Sequence, residues 1–173
     1  MTDSPDVPTG PRPRRRDYEK VFSGLETRWK RHPVDRGRMM HEIVDALWDV
    51  FEGKPYSWVG FYCPLPDGKG LALGPHRDKP ACSPIGAHGV CGRAAAQRAT
   101  LVVADVKALG DAHIECDPAS RSEIAVPVLD PDGTVFAVLD VDSTELGAFE
   151  EEDRRWLERI VKHLGDAPKP RQR

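Results

Sequence analysis

The chain has 173 residues and a net charge of −3, with acidic and basic residues interspersed over most of its length. A chain of this size can bury roughly two-thirds of its unfolded surface, so we expect one domain that folds without a disulfide or a metal. The balanced charge argues against nucleic acid as a partner, because nucleic acid requires a concentrated basic face. No apolar run approaches the roughly 20 residues of a membrane span, and no signal-peptide pattern opens the chain, so a cytoplasmic protein without membrane contact is predicted.

Two tails are predicted to flank one folded domain. Residues 1–16 carry four prolines and a final Arg-Arg-Arg with almost no apolar side chains, so we expect this segment to be disordered. Residues 166–173 contain two further prolines and are predicted to be a second disordered tail. The folded domain is therefore expected to span residues 17–165.

The domain begins with two predicted amphipathic helices. In the first helix, apolar residues recur at steps of three and four, at Tyr18, Val21, Phe22, Leu25 and Trp29. The second helix ends before Gly53 and Pro55, and its apolar stripe comprises Met40, Ile43, Val44, Leu47, Trp48 and Phe51.

Short strands follow, and the chain closes with another helix. Strands and one short helix are predicted in the order strand 58–63, strand 71–74, helix 94–98, strand 101–104, strand 124–129 and strand 135–141. Residues 105–122 show little pattern and are expected to form a long loop with a functional role. The closing helix contains Phe149, Trp156, Leu157, Ile160, Val161 and Leu164, with Gly165 as its C-terminal cap. The order predicts an α+β fold with a central antiparallel sheet flanked by N- and C-terminal helices.

The four cysteines contain no Cys-x-x-Cys pair, which argues against a structural zinc site. Cys82 and Cys116 lie in irregular segments, whereas Cys91 stands near the start of the predicted short helix, where the helix dipole favours a thiolate. Around Cys116, the flanking residues Glu115 and Asp117 would oppose ionisation of the thiol. His113 and Arg121 could support it, and the sequence does not decide between these effects.

Three acidic residues follow on predicted strands. Glu123 opens one strand, and Asp140 and Asp142 close its hairpin partner. Residues two apart on a strand share a face, so the two aspartates should project together. An acid between apolar strand residues is costly to bury unless it binds something. Capping of the following turn, or pairing with nearby Arg or Lys, is the simpler alternative for any one of them.

A series of short motifs runs through the chain in a fixed order. In the first half these are Trp58-Val59-Gly60-Phe61-Tyr62, Leu73-Gly74-Pro75, Ala81-Cys82, Gly89-Val90-Cys91-Gly92 and Ala94-Ala95-Ala96. In the second half they are Val103-Ala104-Asp105-Val106, His113-Ile114-x-Cys116-Asp117, Ser120-Arg121-Ser122-Glu123-Ile124 and Val138-Leu139-Asp140-Val141-Asp142-Ser143. Over residues 17–164 this series resembles the free methionine-R-sulfoxide reductases.

The resemblance implies a GAF-like fold that encloses a pocket for one free amino acid. It implies that Cys116 attacks the sulfoxide and becomes a sulfenic acid, that Cys82 resolves it as a disulfide, and that Cys91 is a further thiol. Cys63 matches no catalytic position. The substrate-binding residues implied by the family are Trp58, Tyr62, Glu123, Asp140 and Asp142.

The chemistry implied by the resemblance needs no bound metal or cofactor. A sulfoxide oxygen must be protonated, and either Glu123 or Asp142 could donate the proton if burial raises its pKa, or could instead anchor the substrate ammonium. A sulfenic acid condenses with a thiol, and an external dithiol such as thioredoxin would then reduce the disulfide. The resemblance also suggests a homodimer. The assignment further requires the Cys116 sulfur to lie inside a closed cavity that faces the carboxyl groups.

One departure from the family and three competing interpretations remain. The segment before Cys91 reads Ala87-His88-Gly89-Val90, where the family usually has a second glycine, and it is one residue shorter than usual. How Cys82 and Cys91 share the resolving role is therefore open.

The alternative functions are a GAF domain that binds a ligand or senses redox state without catalysis, a metal or redox sensor built from Cys82, Cys91 and Cys116, and an interaction module that uses the basic tail.

Overall fold

A computed structural model describes residues 14–77 and 79–168. Its helices are α1 (Arg14–Arg31), α2 (Arg36–Phe51), α3 (Val90–Gln97) and α4 (Glu151–Asp166). Its strands are β1 (Trp58–Pro64), β2 (Gly70–Arg77), β3 (Ile85–Gly86), β4 (Leu101–Val103), β5 (Ser122–Leu129) and β6 (Val135–Ser143). Within the described ranges, no helix combines the length and the apolar character that a bilayer crossing demands.

The six strands form one antiparallel sheet in the order β3-β2-β1-β6-β5-β4. The two predicted hairpins, β1–β2 and β5–β6, lie side by side because β1 pairs with β6. This pairing places the first and last strands of the domain at the centre of the sheet. The predicted α+β architecture is confirmed.

One face of the sheet packs against α1, α2 and α4 to form the main core. Alternate residues of the central strands point into it, including Phe61, Ile124, Leu139 and Val141, all of which are fully buried. The predicted apolar stripes of the three helices cover them, in agreement with the three- and four-residue spacing.

The opposite face of the sheet carries a smaller cluster under α3. It contains Trp58, Tyr62, Leu71, Ile85, Val90, Cys91, Ala94, Ala125 and Val138. The predicted loop after β4 is partly ordered, since Val106–Ala112 forms 3₁₀ turns that kink at Gly110. A ligand-binding site is therefore expected on this face of the sheet and not within the helical core.

The predicted N-terminal tail, residues 1–16, overlaps the first helix at residues 14–16. Helix α1 is already present at the first described residue, Arg14, whose side chain donates a hydrogen bond to Asp153 and another to the Ala148 carbonyl. Residues 1–13 lie outside the described residues. At the other end, α4 includes Asp166, which had been assigned to the tail, and residues 169–173 also lie outside the described part.

The predicted glycine cap of α4 was also wrong. Gly165 lies within the helix, where an added Cβ would stand 2.1 Å from the carbonyl oxygen of Leu129. The carbonyl groups of Gly165 and Ala167 instead accept hydrogen bonds from Arg36, whose guanidinium also pairs with Asp130 at 2.6 Å. A glycine is needed here for the close approach of helix and strand, and the cap is supplied by a side chain of α2.

Candidate active site

The register of the central strands brings the three acidic residues together. In neighbouring strands Trp58 pairs with Asp142, and Asp142 pairs with Glu123, so these residues form one row across the sheet. Asp140 lies in the next row on the same face, because residues two apart on a strand point to the same side. The prediction that the two aspartates project together is therefore confirmed, and Glu123 joins them.

Small residues on both sides of Asp140 leave space above the sheet. Asp140 pairs with Gly60 on β1 and with Ala125 on β5. A Cβ at Gly60 would lie 2.5 Å from the ring of Trp58 and 2.7 Å from the Cβ of His76. A larger residue at position 60 would push the Trp58 ring out of place.

The acidic residues form the floor of a cavity of about 210 Å³. Trp58 and Tyr62 are both almost fully buried, and they line the cavity next to the acidic residues, as predicted. Its wall comes from three segments, namely the residues before β3, the start of α3 and the loop that precedes β5. They contribute Lys79, Pro80, Ala81, Gly89, Val90, Cys91, His113, Ile114, Cys116, Asp117 and Ser120.

The segment that carries Cys82 is attached to the aromatic side chains of β1. The indole N–H of Trp58 donates a hydrogen bond to the Lys79 carbonyl at 2.9 Å. The hydroxyl group of Tyr62 donates another to the Cys82 carbonyl, also at 2.9 Å. The two aromatic residues therefore both line the cavity and fix the backbone on which Cys82 stands.

Cys82 and Cys116 form a disulfide, with their Cα atoms 5.5 Å apart. Cys116 lines the cavity and is also exposed to solvent, so it stands at the opening. The expectation of a closed cavity around Cys116 is wrong for this disulfide-bonded state, because the loop 113–120 leaves the residue on the surface. The bond also argues against a metal site built from Cys82, Cys91 and Cys116, since two of those thiols are joined to each other.

The two remaining cysteines differ in position. Cys91 is a buried free thiol on the cavity wall, and Cys63 is a half-buried free thiol that packs against the helical core on the other face of the sheet. The interpretation of Cys63 as an ordinary strand cysteine agrees with that position. Burial raises the pKa of the Cys63 thiol.

Burial raises the pKa values of all three acids, and repulsion from neighbouring acids adds to the effect for Glu123 and Asp142. The pKa of Glu123 is raised well above its ordinary value by burial and by the charges of Asp140 and Asp142. That of Asp142 is raised by burial and by Asp140, and that of Asp140 is raised by burial to about 6. The site therefore holds at least one carboxyl group that keeps its proton well above the usual range of a carboxylic acid.

Cys91 lies in the first turn of α3, but its environment opposes a thiolate. Its Sγ is 4.0 Å from Oε1 of Glu123. Burial, followed by the charges of Asp140 and Glu123, raises the pKa of the Cys91 thiol well above its ordinary value. The helix dipole favours the anion by only about 1 kcal/mol, so it does not offset the burial and the nearby carboxylates.

The charges around Cys116 are partly neutralised. Asp117 pairs with Lys79 on the facing segment, and the pKa of Asp117 is lowered mainly by that hydrogen bond. His113 lies in the cavity wall with its Nδ1 3.8 Å from Oε2 of Glu123, and burial lowers the pKa of His113. The charge of Asp117 therefore opposes ionisation of Cys116 less than the sequence alone indicates. An uncharged His113 likewise supports the thiolate less than a charged histidine would.

Sequence reasoning missed several residues of the cavity wall. Lys79, Pro80 and Ser120 were not predicted to be at the site, and His113 was considered only for its effect on Cys116. His113 and Ser120 belong to the ordered motifs, whereas the sequence signal of Lys79 and Pro80 is their proximity to Cys82 in the chain. Ala87, which stands where the family usually has glycine, does not adopt a positive φ, since Arg98 is the one residue other than glycine that does so among those that the structure describes.

Comparisons with known proteins agree with this geometry. The sequence profile of the GAF domain matches residues 34–167. A free methionine-R-sulfoxide reductase of Escherichia coli K12 is 42% identical over 151 residues, which make up 86% of this chain and 82% of that protein. A protein of the same name from Saccharomyces cerevisiae is 38% identical over 108 residues, 61% of this chain and 59% of its own length.

A solved structure gives the same result. The X-ray structure of free methionine-R-sulfoxide reductase from Neisseria meningitidis, in complex with its substrate, superposes with a TM-score of 0.78 and 37% identity, over 86% of each chain. The sequence resemblance is thus confirmed at the level of both sequence and fold. The chain belongs to the free methionine-R-sulfoxide reductase family of GAF-domain proteins.

Proposed function

We propose that this protein reduces the R-sulfoxide of free methionine to methionine, with Cys116 as the nucleophile and Cys82 as the resolving thiol. The observation that carries the proposal is the disulfide between these two residues at the opening of a carboxyl-lined cavity. A bond at that position is the product expected when a substrate in the cavity has oxidised the nearest pair of thiols.

The cavity suits one small zwitterion. Its volume of about 210 Å³ is below the range of about 300–1,000 Å³ for larger small-molecule sites. Asp140 and Asp142 supply negative charge for an ammonium group. Trp58 and Tyr62 supply aromatic surface for the methyl group and sulfur, a contact of modest strength. A free α-amino group next to buried acids explains why the substrate would be an amino acid and not a residue within a peptide.

The first step transfers the sulfoxide oxygen to the sulfur of Cys116. The Cys116 thiolate attacks the sulfoxide sulfur while Glu123 protonates the sulfoxide oxygen. The resulting OH group then passes to the Cys116 sulfur as its bond to the methionine sulfur and the transient S–S bond both break, so methionine leaves with the electron pair and Cys116 becomes a sulfenic acid. The raised pKa values of Glu123 and Asp142 would both keep a proton in place, and Glu123 is the donor in this proposal because its side chain is the more buried of the two. The thiol proton lost by Cys116 balances the proton that Glu123 must regain.

The second step forms the disulfide. The Cys82 thiol attacks the sulfenic sulfur of Cys116 and releases water, which leaves the bond seen in the structure. An external dithiol, thioredoxin in this proposal, then reduces the bond by exchange and is itself oxidised. No bound cofactor takes part, and Cys91 remains an auxiliary thiol because its high pKa leaves little thiolate.

The proposal also includes a cellular location and an oligomeric state. A cycle that depends on thioredoxin requires a reducing compartment, which supports a cytoplasmic location. A homodimer is proposed with α1, α2 and α4 as its contacts. Sedimentation of the purified chain would test this, and a monomer at all concentrations would reject it.

Single turnover with cysteine variants tests the assignment. Cys116→Ser should release no methionine. Cys82→Ser should release about one methionine per chain and then stall, because the sulfenic acid has no efficient partner. Cys63→Ser is the matched control and should turn over normally, since this thiol lies on the other face of the sheet. Multiple turnover by Cys116→Ser would reject the nucleophile.

Substrate specificity is tested separately. NADPH consumption through thioredoxin should be rapid with the free R-epimer and at least about tenfold slower with the free S-epimer or a peptide-bound sulfoxide. Tight binding of methionine sulfoxide without turnover would instead support a ligand-binding or redox-sensing GAF domain.

A further inference from the structure

A sulfur and two carboxyl groups meet at one point of the cavity wall. Cys91 in α3, Glu123 in β5 and Asp140 in β6 each contribute one ligand-type atom, and these atoms all lie within 4.8 Å of one another. Each residue is buried, and Cys91 Sγ is 4.0 Å from the nearer oxygen of Glu123. Three different elements thus direct groups that could become anions toward the same small volume.

One atom of this group lacks a partner. Asp140 is only 6% exposed, and its Oδ1 accepts no hydrogen bond from any residue in the described part of the chain. A buried carboxylate oxygen without a donor costs free energy, so the arrangement favours any cation that reaches it. Asp140 lines the cavity, which gives a cation a path from solvent.

We propose that Cys91, Glu123 and Asp140 form a binding site for one Zn²⁺ ion per chain. Zinc accepts one thiolate and two carboxylate oxygens and keeps a fourth position for water or for Asp142. Its bonds of about 2.0–2.3 Å place the ligand atoms closer together than 4.8 Å, so the side chains must contract toward the ion. Magnesium and calcium are disfavoured, because they prefer oxygen ligands and the site contains a sulfur.

The zinc site overlaps the place that the proposed function gives to the substrate ammonium. An ion bound there would exclude the substrate, so zinc should inhibit competitively with methionine sulfoxide. This consequence rests on the proposed function, whereas zinc binding itself does not. A protein that binds zinc at this site but reduces no sulfoxide would refute the proposed function and leave the metal site in place.

The disulfide-bonded protein allows a clean binding experiment. Cys82 and Cys116 are joined in this form, so Cys63 and Cys91 are its two free thiols. Protein in oxygen-free buffer without added thiol is titrated with Co²⁺, a spectroscopic substitute for zinc, and then with Zn²⁺ against a chromophoric chelator. We expect one ion per chain, with a near-ultraviolet band of thiolate-to-cobalt charge transfer that zinc abolishes.

Variants then locate the site. Cys91→Ser should abolish the charge-transfer band and weaken zinc binding by at least about tenfold, whereas Cys63→Ser should leave both unchanged. Glu123→Gln should also weaken zinc binding. Because this variant keeps the Cys91 thiol, it tests the site even if Cys91→Ser does not fold. Loss of the band in Cys63→Ser, or equal zinc affinity in Cys91→Ser and the parent protein, would overturn the proposal.

Discussion

At the scale of single residues, Glu123 is a buried acid with two acidic neighbours. It lies in a row with Asp142 and beside Asp140, and burial with these two acids raises its pKa well above the ordinary value. An acid with a raised pKa holds its proton as the pH rises until the pH reaches the higher folded value. The form that can donate a proton therefore persists to a higher pH than in an ordinary glutamate, and it is lost on the alkaline side of the raised pKa.

Glu123→Gln should lower kcat by about 100-fold or more with little change in KM, because glutamine keeps the shape of the acid but cannot donate a proton to the sulfoxide. In the parent protein, the rate should fall as the pH rises through the Glu123 pKa, and this alkaline limb should be absent in the variant. Steady-state rates across pH check both effects. A large rise in KM with unchanged kcat would show that Glu123 binds the ammonium instead.

Asp140 gives a prediction about stability. Its pKa is raised by burial from 3.8 to about 6, so the folded state binds this proton more tightly than the unfolded state. The free energy of unfolding must then fall as the pH rises between these two values. Asp140→Asn should increase the free energy of unfolding by about 3 kcal/mol above this window and by almost nothing below it.

Denaturant unfolding at about pH 8 and about pH 4 measures this difference. The matched control is Asp49→Asn, which changes an exposed acid on α2 and should alter stability little at either pH. An Asp140→Asn variant that is less stable than the parent at the higher pH would contradict the prediction. Such a result would mean that the carboxylate is neutralised in the folded protein.

Sequence reasoning at this scale placed the acidic residues from their spacing, whereas the pairing of Cys82 with Cys116 came from the family resemblance alone. The two-residue period of β6 was enough to place Asp140 and Asp142 on one face. The partner of Cys116 could not be derived from spacing, because Cys82 and Cys91 both precede it in irregular or short elements and no local pattern distinguishes them. Cys82 is brought into position by hydrogen bonds from Trp58 and Tyr62, which are long-range contacts that a local pattern does not contain.

At the scale of elements, the sequence predicted the helices and strands but not all their ends. Periodicity located the long helices because their buried faces repeat over several turns. The C-terminal end of α4 is held by Arg36 of α2, which is 129 residues away from Gly165. Strand β3 has two residues, too few for any alternation to be visible. Element ends that are set by distant partners, and very short strands, are therefore the parts that sequence periodicity misses.

The contact between α4 and β5 gives a prediction at the same scale. Gly165→Ala should destabilise the protein by about 2 kcal/mol, since the new Cβ would stand 2.1 Å from the Leu129 carbonyl oxygen and force helix and strand apart. Gly24→Ala in α1 is the control, because nothing lies within 4 Å of the added methyl group, and it should be neutral or stabilising by up to about 1 kcal/mol. Thermal unfolding of both variants checks the contrast. Equal effects would show that α4 can move away from the strand without cost.

At the scale of the whole molecule, the disulfide joins two segments that are 34 residues apart in sequence. Closing a loop of that length restricts the unfolded chain, so reduction should lower the free energy of unfolding by about 3 kcal/mol. Denaturant unfolding with and without a strong reductant measures the change. The Cys82→Ser, Cys116→Ser double variant should respond to the reductant much less, and an equal response would trace the effect to another thiol.

The position of Cys116 at the mouth of the cavity also fixes the order of events in turnover. Methionine must depart through the opening at which the reductant has to dock, so the two cannot occupy the protein together. The enzyme should therefore follow ping-pong kinetics, in which the first product is released before the second substrate binds. Reciprocal plots of rate against sulfoxide at several fixed concentrations of thioredoxin should give parallel lines, and intersecting lines would mean that both reactants are held at once.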